Sequence, residues 1–383
     1  DCNVCWTGAE EVCDEEDNDC DGFSDEGVTV PVGDRIAVSD SLAGEVRDRF
    51  TLESLDNGSV LVFFIDDSLP RSNGVARSVR FETDGSIGAS EVVDPETAES
   101  QSHIASARIG DRVFVAFSVG SRLRARAYSG STGAPVTPPT WMNDEGDGGA
   151  FTAISGLGTF VLFAYEGRDA LHFVGSSAGL GSIGPPETVS SFAESSFRRP
   201  VRWVSEPGDP DIRWLFAADT VEGESGIYGS RIDFLAEEIS DRQLVQETFA
   251  IEDFSVLEIG AERLLLRGDR TEDTGFAAIE TLSLSSTGVT ITDQTTLDPV
   301  EGAYFGLTGV ADGNALRIIG NRLATEAGVF VYTNATGDWV STLVEPTIGS
   351  YFPMLGSPRA AFFDATDSEG NTRVFARRLG CRD

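Results

Sequence analysis

The sequence predicts an all-β chain folded as a seven-bladed β-propeller, and three observations carry this prediction. From residue 50 onward a unit recurs with a period of about 40 to 50 residues, which is the spacing of propeller blades. Each unit contains one strongly apolar segment and one segment in which polar and apolar residues alternate. The recurrence is even along the chain, and no linker interrupts it.

The repeated segments are predicted to be strands joined by short turns. Alternating segments such as residues 76–82 and 123–128 would place one face on a neighbouring sheet and the other in water. Turns are expected at residues 83–85 and 286–288, where Gly follows Asp or Thr. The apolar segments are residues 59–65, 112–118, 159–165, 212–218, 262–267, 315–319 and 359–364.

The two ends of the chain are predicted to complete each other. The last unit lacks a fourth strand, whereas residues 28–32 form an alternating strand without a unit of their own. Pairing the two would close the ring and remove two open sheet edges. We therefore divide the chain into an acidic, Cys-rich metal-binding segment at residues 1–27 and a propeller at residues 28–383.

Other arrangements of short strands fit the same pattern. A ring of six or eight blades is compatible with the period, and so is a pair of tandem β-sandwiches. The even recurrence without a central break favours the propeller.

The acidic segment near the start of the chain predicts a calcium site. Three Asp residues alternate and are followed by Gly22, which permits the sharp turn that folds carboxylates around one ion. The twelfth loop position holds Val28, where an EF-hand needs a bidentate Glu, so the loop would bind calcium in another way. The candidate ligands are Asp17, Asp19, Asp21, the Phe23 carbonyl and Asp25.

Residues 11–26 carry a resemblance to a known family. They are similar to the short metal-binding motif of MopE-type bacterial surface proteins, and also to thrombospondin type 3 calcium repeats, although Glu15 stands where the motif has Gly. The segment Ile227–Asp233 resembles a strand of exported bacterial propeller repeats. The resemblance implies an exported bacterial protein with bound calcium.

The cysteines lie only at the two ends of the chain, at Cys2, Cys5, Cys13, Cys20 and Cys381. We predict a Cys13–Cys20 disulfide that clamps the calcium loop. A second bridge is expected from Cys5 or Cys2 to Cys381, which would tie the termini together. Such bridges require an oxidising compartment, so we expect a secreted or cell-surface protein.

Charge and hydropathy limit the partners. The chain has 63 Asp and Glu against 28 basic residues, all of them Arg, and its net charge is −35. Non-specific nucleic-acid binding needs positive charge and is therefore not expected. Insertion into a membrane is not expected either, because no apolar run approaches the roughly 18 residues of a spanning helix.

No coherent catalytic set stands out in the sequence. Residues 175–179 match Gly-x-Ser-x-Gly, but they lie in a Gly-rich turn and not between a strand and a helix. We therefore expect a non-catalytic surface protein in which a calcium-stabilised propeller acts in binding, adhesion or assembly. Its partner would be a surface protein, a glycan or another copy of the chain. The alternative is a propeller that binds or cleaves glycans, as lectins, sialidases and lyases do.

Overall fold

The computed structural model describes residues 29–39, 50–66, 74–144, 148–167, 170–191, 201–221, 224–247, 254–268, 277–298, 303–312, 315–323, 327–335, 338–346, 353–357, 360–368 and 371–381. These residues contain 29 β-strands, no helix, and seven separate sheets. The sheets are the blades of a seven-bladed β-propeller, so the predicted fold class is confirmed. The six-bladed, eight-bladed and tandem-sandwich alternatives are wrong.

The strands of the first half of the chain include the closing strand and blades 1 to 3. In order they are β1 (Thr29–Ala37), β2 (Phe50–Ser54), β3 (Val60–Asp66), β4 (Val75–Phe81), β5 (Glu91–Val92), β6 (Gln101–Ile109), β7 (Arg112–Val119), β8 (Arg122–Ser129), β9 (Thr140–Trp141), β10 (Ala150–Leu157), β11 (Phe160–Glu166), β12 (Ala170–Ser177) and β13 (Glu187–Ser191).

Blades 4 to 7 follow. Their strands are β14 (Val201–Ser205), β15 (Ile212–Val221), β16 (Glu224–Asp233), β17 (Glu238–Ile239), β18 (Gln243–Glu247), β19 (Phe254–Ile259), β20 (Glu262–Gly268), β21 (Ala277–Ser285), β22 (Gly288–Asp298), β23 (Ala303–Asp312), β24 (Ala315–Leu323), β25 (Gly328–Ala335), β26 (Asp338–Glu345), β27 (Met354–Ser357), β28 (Ala360–Thr366) and β29 (Thr372–Cys381).

In each blade the first of its consecutive strands is innermost, and in blades 1 to 3, 5 and 6 the strands follow outward in antiparallel sequence order, as in β2-β3-β4-β5. In blade 4 both β17 and β18 pair with β16, and in blade 7 the outermost strand is β1. The innermost strands touch one another around the ring, from β2 through β6, β10, β14, β19 and β23 to β27, and β27 touches β2 again. A central channel therefore runs between the innermost strands.

The last blade is completed by the first strand of the chain. Strand β1 pairs antiparallel with β29, and Thr29 lies opposite Cys381 while Val32 lies opposite Arg378. This pairing includes residues 29–32 of the segment expected to close the ring, but it extends to Ala37 after a register shift between Val32 and Ile36. The boundary at residue 27 lies outside the described residues and stays a prediction.

The second strand of each blade is apolar because both of its faces are covered. In β3, Val62 and Phe64 pack towards blade 7, whereas Phe63 packs towards blade 2. Aromatic contacts hold both junctions: ring centroids are 5.3 Å apart for Phe81 and Phe362, and 5.1 Å apart for Phe63 and Tyr128. The core is thus a series of apolar layers between adjacent blades. Apart from their first residues 59, 159 and 359, the seven predicted apolar segments fall on the second strands, β3, β7, β11, β15, β20, β24 and β28.

We expect Val38→Ala to lower the free energy of unfolding by about 2 kcal/mol, because it deletes two buried methyl groups beside the closing strand. Val38 is 5% exposed, belongs to the layer between blades 1 and 7, and donates its backbone N–H to the Val374 carbonyl at 2.8 Å. Val32→Ala is the matched control, since Val32 is 45% exposed on β1 itself. Chemical denaturation checks this, and equal effects of the two substitutions would contradict it.

Candidate functional site at the central channel

The innermost strands all run in the same direction along the channel, and we call the end at which they finish the lower end. Hydrogen bonds cross every junction between adjacent blades near the channel. They join Ser54 to Gly356, Ser106 to Thr51 and Glu53, Ser118 to Gly149, Arg213 to Gly156, Arg263 to Ser205, Ser255 to Leu307, and Thr308 to Pro353. Polar contacts therefore reinforce the apolar layers all round the ring.

The most distinctive polar group of the channel wall is Glu53, which lies on β2 between blades 1 and 2. The Ser106 hydroxyl donates to Glu53 Oε1 at 2.7 Å and lies 2.8 Å from Thr51 Oγ1. Because a hydroxyl has a single proton, Thr51 must donate to Ser106 while Ser106 donates to Glu53. When Glu53 is protonated, the direction of donation along this chain can reverse.

Burial raises the pKa of the Glu53 carboxyl from 4.5 to about 7. Three smaller effects oppose burial: the Ser106 hydroxyl, the Arg108 backbone N–H and the positive charge of Arg108. The side chain keeps partial exposure, so protons can reach it from water. A carboxyl that titrates near neutral pH can act as a general acid or base, or can bind a hydroxyl group in either protonation state.

The lower mouth of the channel beside Glu53 is fixed by Arg108. Its Nη1 donates to the Ser54 carbonyl at 2.9 Å, and Nη2 pairs with the Asp56 carboxylate. Ser54 in turn donates its hydroxyl to the Gly356 carbonyl of blade 7. Blades 7, 1 and 2 are consequently held in register where Glu53 lies.

Blades 4 and 5 carry two arginines in the same arrangement on the opposite side of the lower end. Arg213 donates Nη2 to the Gly156 carbonyl of blade 3 at 2.6 Å, and Arg263 donates Nε to the Ser205 carbonyl of blade 4 at 2.8 Å. Both are more than nine-tenths buried. Because almost all of their acceptors belong to the backbone, these arginines fasten the innermost strands and are best explained as structural.

His103 occupies a strained position on the innermost strand of blade 2. It forms a bulge between Ser102 and Ile104, and its φ of 46° lies in the left-handed region. Blade 6 has a bulge at the corresponding place, where Gly306 adopts a φ of 67°. The backbone at His103 thus has a conformation that glycine would adopt at a lower cost in free energy, yet this point of the channel wall carries an imidazole. No motif in the sequence surrounds His103.

The predicted calcium ligands Asp17, Asp19, Asp21, Phe23 and Asp25 lie outside the described residues, as do Cys2, Cys5, Cys13 and Cys20. Cys381 ends β29, and only its backbone is described. Within the described ranges, no group of three or more His, Cys, Asp or Glu side chains could hold a metal ion. The same residues include no helix that is long and apolar enough to span a membrane.

We expect the free energy of unfolding of the native protein to fall as the pH rises from about 4.5 to 7, and we expect Glu53→Gln to abolish this fall. In this window the folded state binds more protons at Glu53 than the unfolded state does, so the free energy of unfolding falls with pH. Above pH 7 the free energy of unfolding of the variant should exceed that of the native protein by about 2 kcal/mol. This value is smaller than the full pKa shift implies, because Glu53 is partly exposed to water.

Urea denaturation at pH 4.5, 6 and 8 measures this difference, and Glu187→Gln, at an exposed carboxylate, is the control. A difference between Glu53→Gln and the native protein that stays constant over this range would contradict the assignment.

Comparisons with known proteins show a similarity in fold only. No protein-family profile matches the chain, and no curated protein sequence matches it either. Among solved structures, the chain is similar to the polysaccharide lyase Uly1, with 10% identity, a TM-score of 0.52, and 92% of this chain and 100% of the lyase covered. A protein of unknown function from Dyadobacter fermentans shares 11% identity, with a TM-score of 0.50 and coverages of 93% and 98%.

The core factor of S. cerevisiae shares 10% identity at a TM-score of 0.53, and the match covers 94% of this chain and 62% of that one. These neighbours include an enzyme and a protein of unknown function. At such low identities they share a fold with this chain, and they assign it no activity.

Proposed function

We propose that this chain is a non-catalytic, exported or cell-surface β-propeller that is stabilised by calcium and acts in binding, adhesion or assembly of a surface structure. One observation supports this proposal most: the acidic, Cys-rich segment continues directly into the strand that closes the ring. Thr29 begins β1 opposite Cys381, the last residue of β29. A metal loop and a disulfide just before Thr29 would therefore act on the closure itself.

The negative charge of the chain is a reason for calcium to stabilise it. With a net charge of −35, the carboxylates of residues 14–26 repel one another and the rest of the surface. A divalent ion bound by Asp17, Asp19, Asp21, the Phe23 carbonyl and Asp25 would convert this repulsion into attraction. The loop would then hold the chain at the outer edge of blade 7, where β1 is the outermost strand.

The disulfides proposed for this segment serve the same closure. The register places Cys381 at the point where the N-terminal segment joins the ring. The 23 residues between Cys5 and Thr29 can span far more than the distance back to β29, at up to about 3.4 Å per residue. A bridge from Cys5 or Cys2 to Cys381 is therefore within reach of the chain, and the proposed Cys13–Cys20 bridge would close a shorter loop inside the acidic segment.

A glycan-binding or glycan-cleaving propeller is the second candidate, and Glu53 is the observation that favours it. Its pKa of about 7 suits an acid–base group, and it lies in the wall of the channel beside Arg108. If the chain cleaved acidic polysaccharides, Glu53→Gln would abolish turnover and leave the fold intact. A panel of acidic polysaccharides measures this, and no turnover by the native protein would eliminate the cleaving role.

We expect chelation of calcium to lower the unfolding temperature of the native protein. A single site at 100-fold excess of calcium over its Kd adds about 2.7 kcal/mol of stability. Asp17→Ala with Asp19→Ala should remove the calcium dependence. Asp111→Ala with Asp241→Ala, at two exposed carboxylates, should leave it unchanged.

Thermal unfolding and light scattering on a sizing column, each with millimolar calcium and with chelator, provide the measurement. A calcium-dependent increase in mass identifies assembly, whereas a constant mass with a calcium-dependent unfolding temperature identifies a local structural ion. Identical unfolding temperatures in calcium and chelator would overturn the calcium proposal.

A further inference from the structure

The strand that closes the ring contributes little buried side-chain surface to blade 7. None of residues 31–37 of β1 is buried, and Val32 is 45% exposed. The strand beside it is different, because Val374, Phe375 and Ala376 of β29 are all buried. Strand β1 is therefore held mainly through its backbone, whereas β29 belongs to the core of the blade.

The pairing of β1 with β29 is also interrupted. Residues 29–32 lie opposite residues 378–381, and Ile36 and Ala37 resume the pairing after a register shift. Gly33 lies in this interruption with a φ of 70°, which is in the left-handed region that favours glycine. Two short paired stretches can open more readily than one continuous strand of the same length.

Side chains at the end of β1 and just after it make the pairing specific. Arg35 donates Nη1 to Glu345 Oε1 of blade 6 at 3.3 Å. The Ser39 hydroxyl accepts the backbone N–H of Val374 at 2.8 Å. We call residues 29–39 the closing segment. Blade 7 is thus a binding site for this particular segment, and the same contacts can form with the closing segment of any copy of the chain.

The closing segment can leave blade 7 without disturbing another blade. It precedes every other strand in the described part of the chain, and residues 40–49 connect it to the first strand of blade 1. These ten residues extend up to about 35 Å, which allows the segment to reach a neighbouring molecule. Its departure leaves backbone donors and acceptors of β29 unpaired, and a second closing segment would pair with them in the same register.

Electrostatic repulsion limits such an exchange but does not prevent it. Two copies of a chain with a net charge of −35 repel each other. The closing segment itself carries one carboxylate, Asp34, and one guanidinium, Arg35, so it has no net charge. The repulsion therefore comes from the rest of the two molecules, where salt can screen it.

We propose that blade 7 accepts the closing segment of a second copy of this chain, so that copies assemble by exchanging β1. Each molecule both donates and accepts a closing segment, and the exchange therefore gives reciprocal dimers or open chains of molecules. This inference deepens the assembly role proposed above and rests on it. The bridge proposed from Cys5 or Cys2 to Cys381 would then join two copies, because Thr29 lies opposite Cys381 in either pairing.

Cross-linking between two variants of the whole chain tests the exchange. Both variants carry Cys2→Ser, Cys5→Ser and Cys381→Ser, which remove the proposed terminal bridge. Cys13 and Cys20 remain for the proposed clamp of the calcium loop. An introduced cysteine is then the thiol available to a short bis-maleimide, and unfolding midpoints establish that the variants are folded.

One variant also carries Val32→Cys and the other carries Arg378→Cys, at exposed residues that lie directly opposite each other. Opposite Cβ atoms of an antiparallel pair are about 4.5–5.5 Å apart, within reach of the reagent. In the control mixture, Leu244→Cys replaces Arg378→Cys. Leu244 is 41% exposed on blade 4, so it matches the exposure of Val32 but lies on another blade.

The mixture of Val32→Cys and Arg378→Cys should give several-fold more cross-linked dimer than the control mixture, and added salt should increase the yield. Incubation at about 1 mM protein matches the effective concentration of a segment on a short flexible linker. Equal yields in the two mixtures, both in calcium and in chelator, would overturn the proposal.

A single chain that carries both Val32→Cys and Arg378→Cys provides a second measurement. Cross-linking in dilute solution fixes the closing segment in its own blade and leaves the other surfaces unchanged. After incubation at about 1 mM, light scattering should show a single chain for the linked protein and a higher mass for the same variant without the link. Equal masses with and without the link would overturn strand exchange.

The same measurements separate this inference from the proposed function. If the linked and unlinked proteins both assemble, assembly uses another surface and only the exchange is wrong. A calcium loop that holds β1 in place should make cross-linking between copies slower in calcium than in chelator. If specific links form equally fast in both, the exchange stands and the role of calcium in the closure is wrong.

Discussion

The pairing of β1 with β29 is the interaction on which the ring depends. A circular array of sheets built from a linear chain leaves its last blade incomplete unless a strand from the other terminus joins it, and an incomplete blade exposes backbone donors and acceptors. Here Thr29 to Ala37 supply that strand. Because β1 is the outermost strand of blade 7, the segment that directly precedes Thr29 in the sequence can reinforce the closure.

The rest of the ring is stabilised by two kinds of contact at each junction. Apolar side chains of the second strands fill the layers between adjacent blades, and hydrogen bonds between neighbouring blades run around the channel. The apolar layers supply most of the stability, since burial of apolar area is the dominant favourable contribution to folding. The hydrogen bonds fix the register, because a displaced blade would leave buried polar groups without partners. Glu53 belongs to this polar set and also has a pKa suited to chemistry.

The sequence predicted the blades well because the second strands are continuous apolar runs, and such runs have few alternatives to a strand buried on both faces. It predicted only the first part of β1, since Gly33 and Asp34 suggest a turn, whereas the strand passes them with a register shift. The channel cluster could not be predicted: Ser106 is 53 residues from Glu53, and the raised pKa arises only when two blades enclose the carboxyl. The metal loop is different from the channel cluster, because its candidate ligands lie close together in the sequence and are identified from their spacing alone.

Hydrogen–deuterium exchange of β1 and β29, with calcium and with chelator, tests the central claim most directly. If an N-terminal calcium loop holds the ring closed, the amides of β29 and the β1 amides that are hydrogen-bonded to it should be protected as strongly as those of β11 in calcium, and chelator should accelerate their exchange first. If the β1 amides that are hydrogen-bonded to β29 exchange much faster than those of β11 in calcium, or if chelator leaves β1 and β29 unchanged, the closure does not depend on the acidic segment.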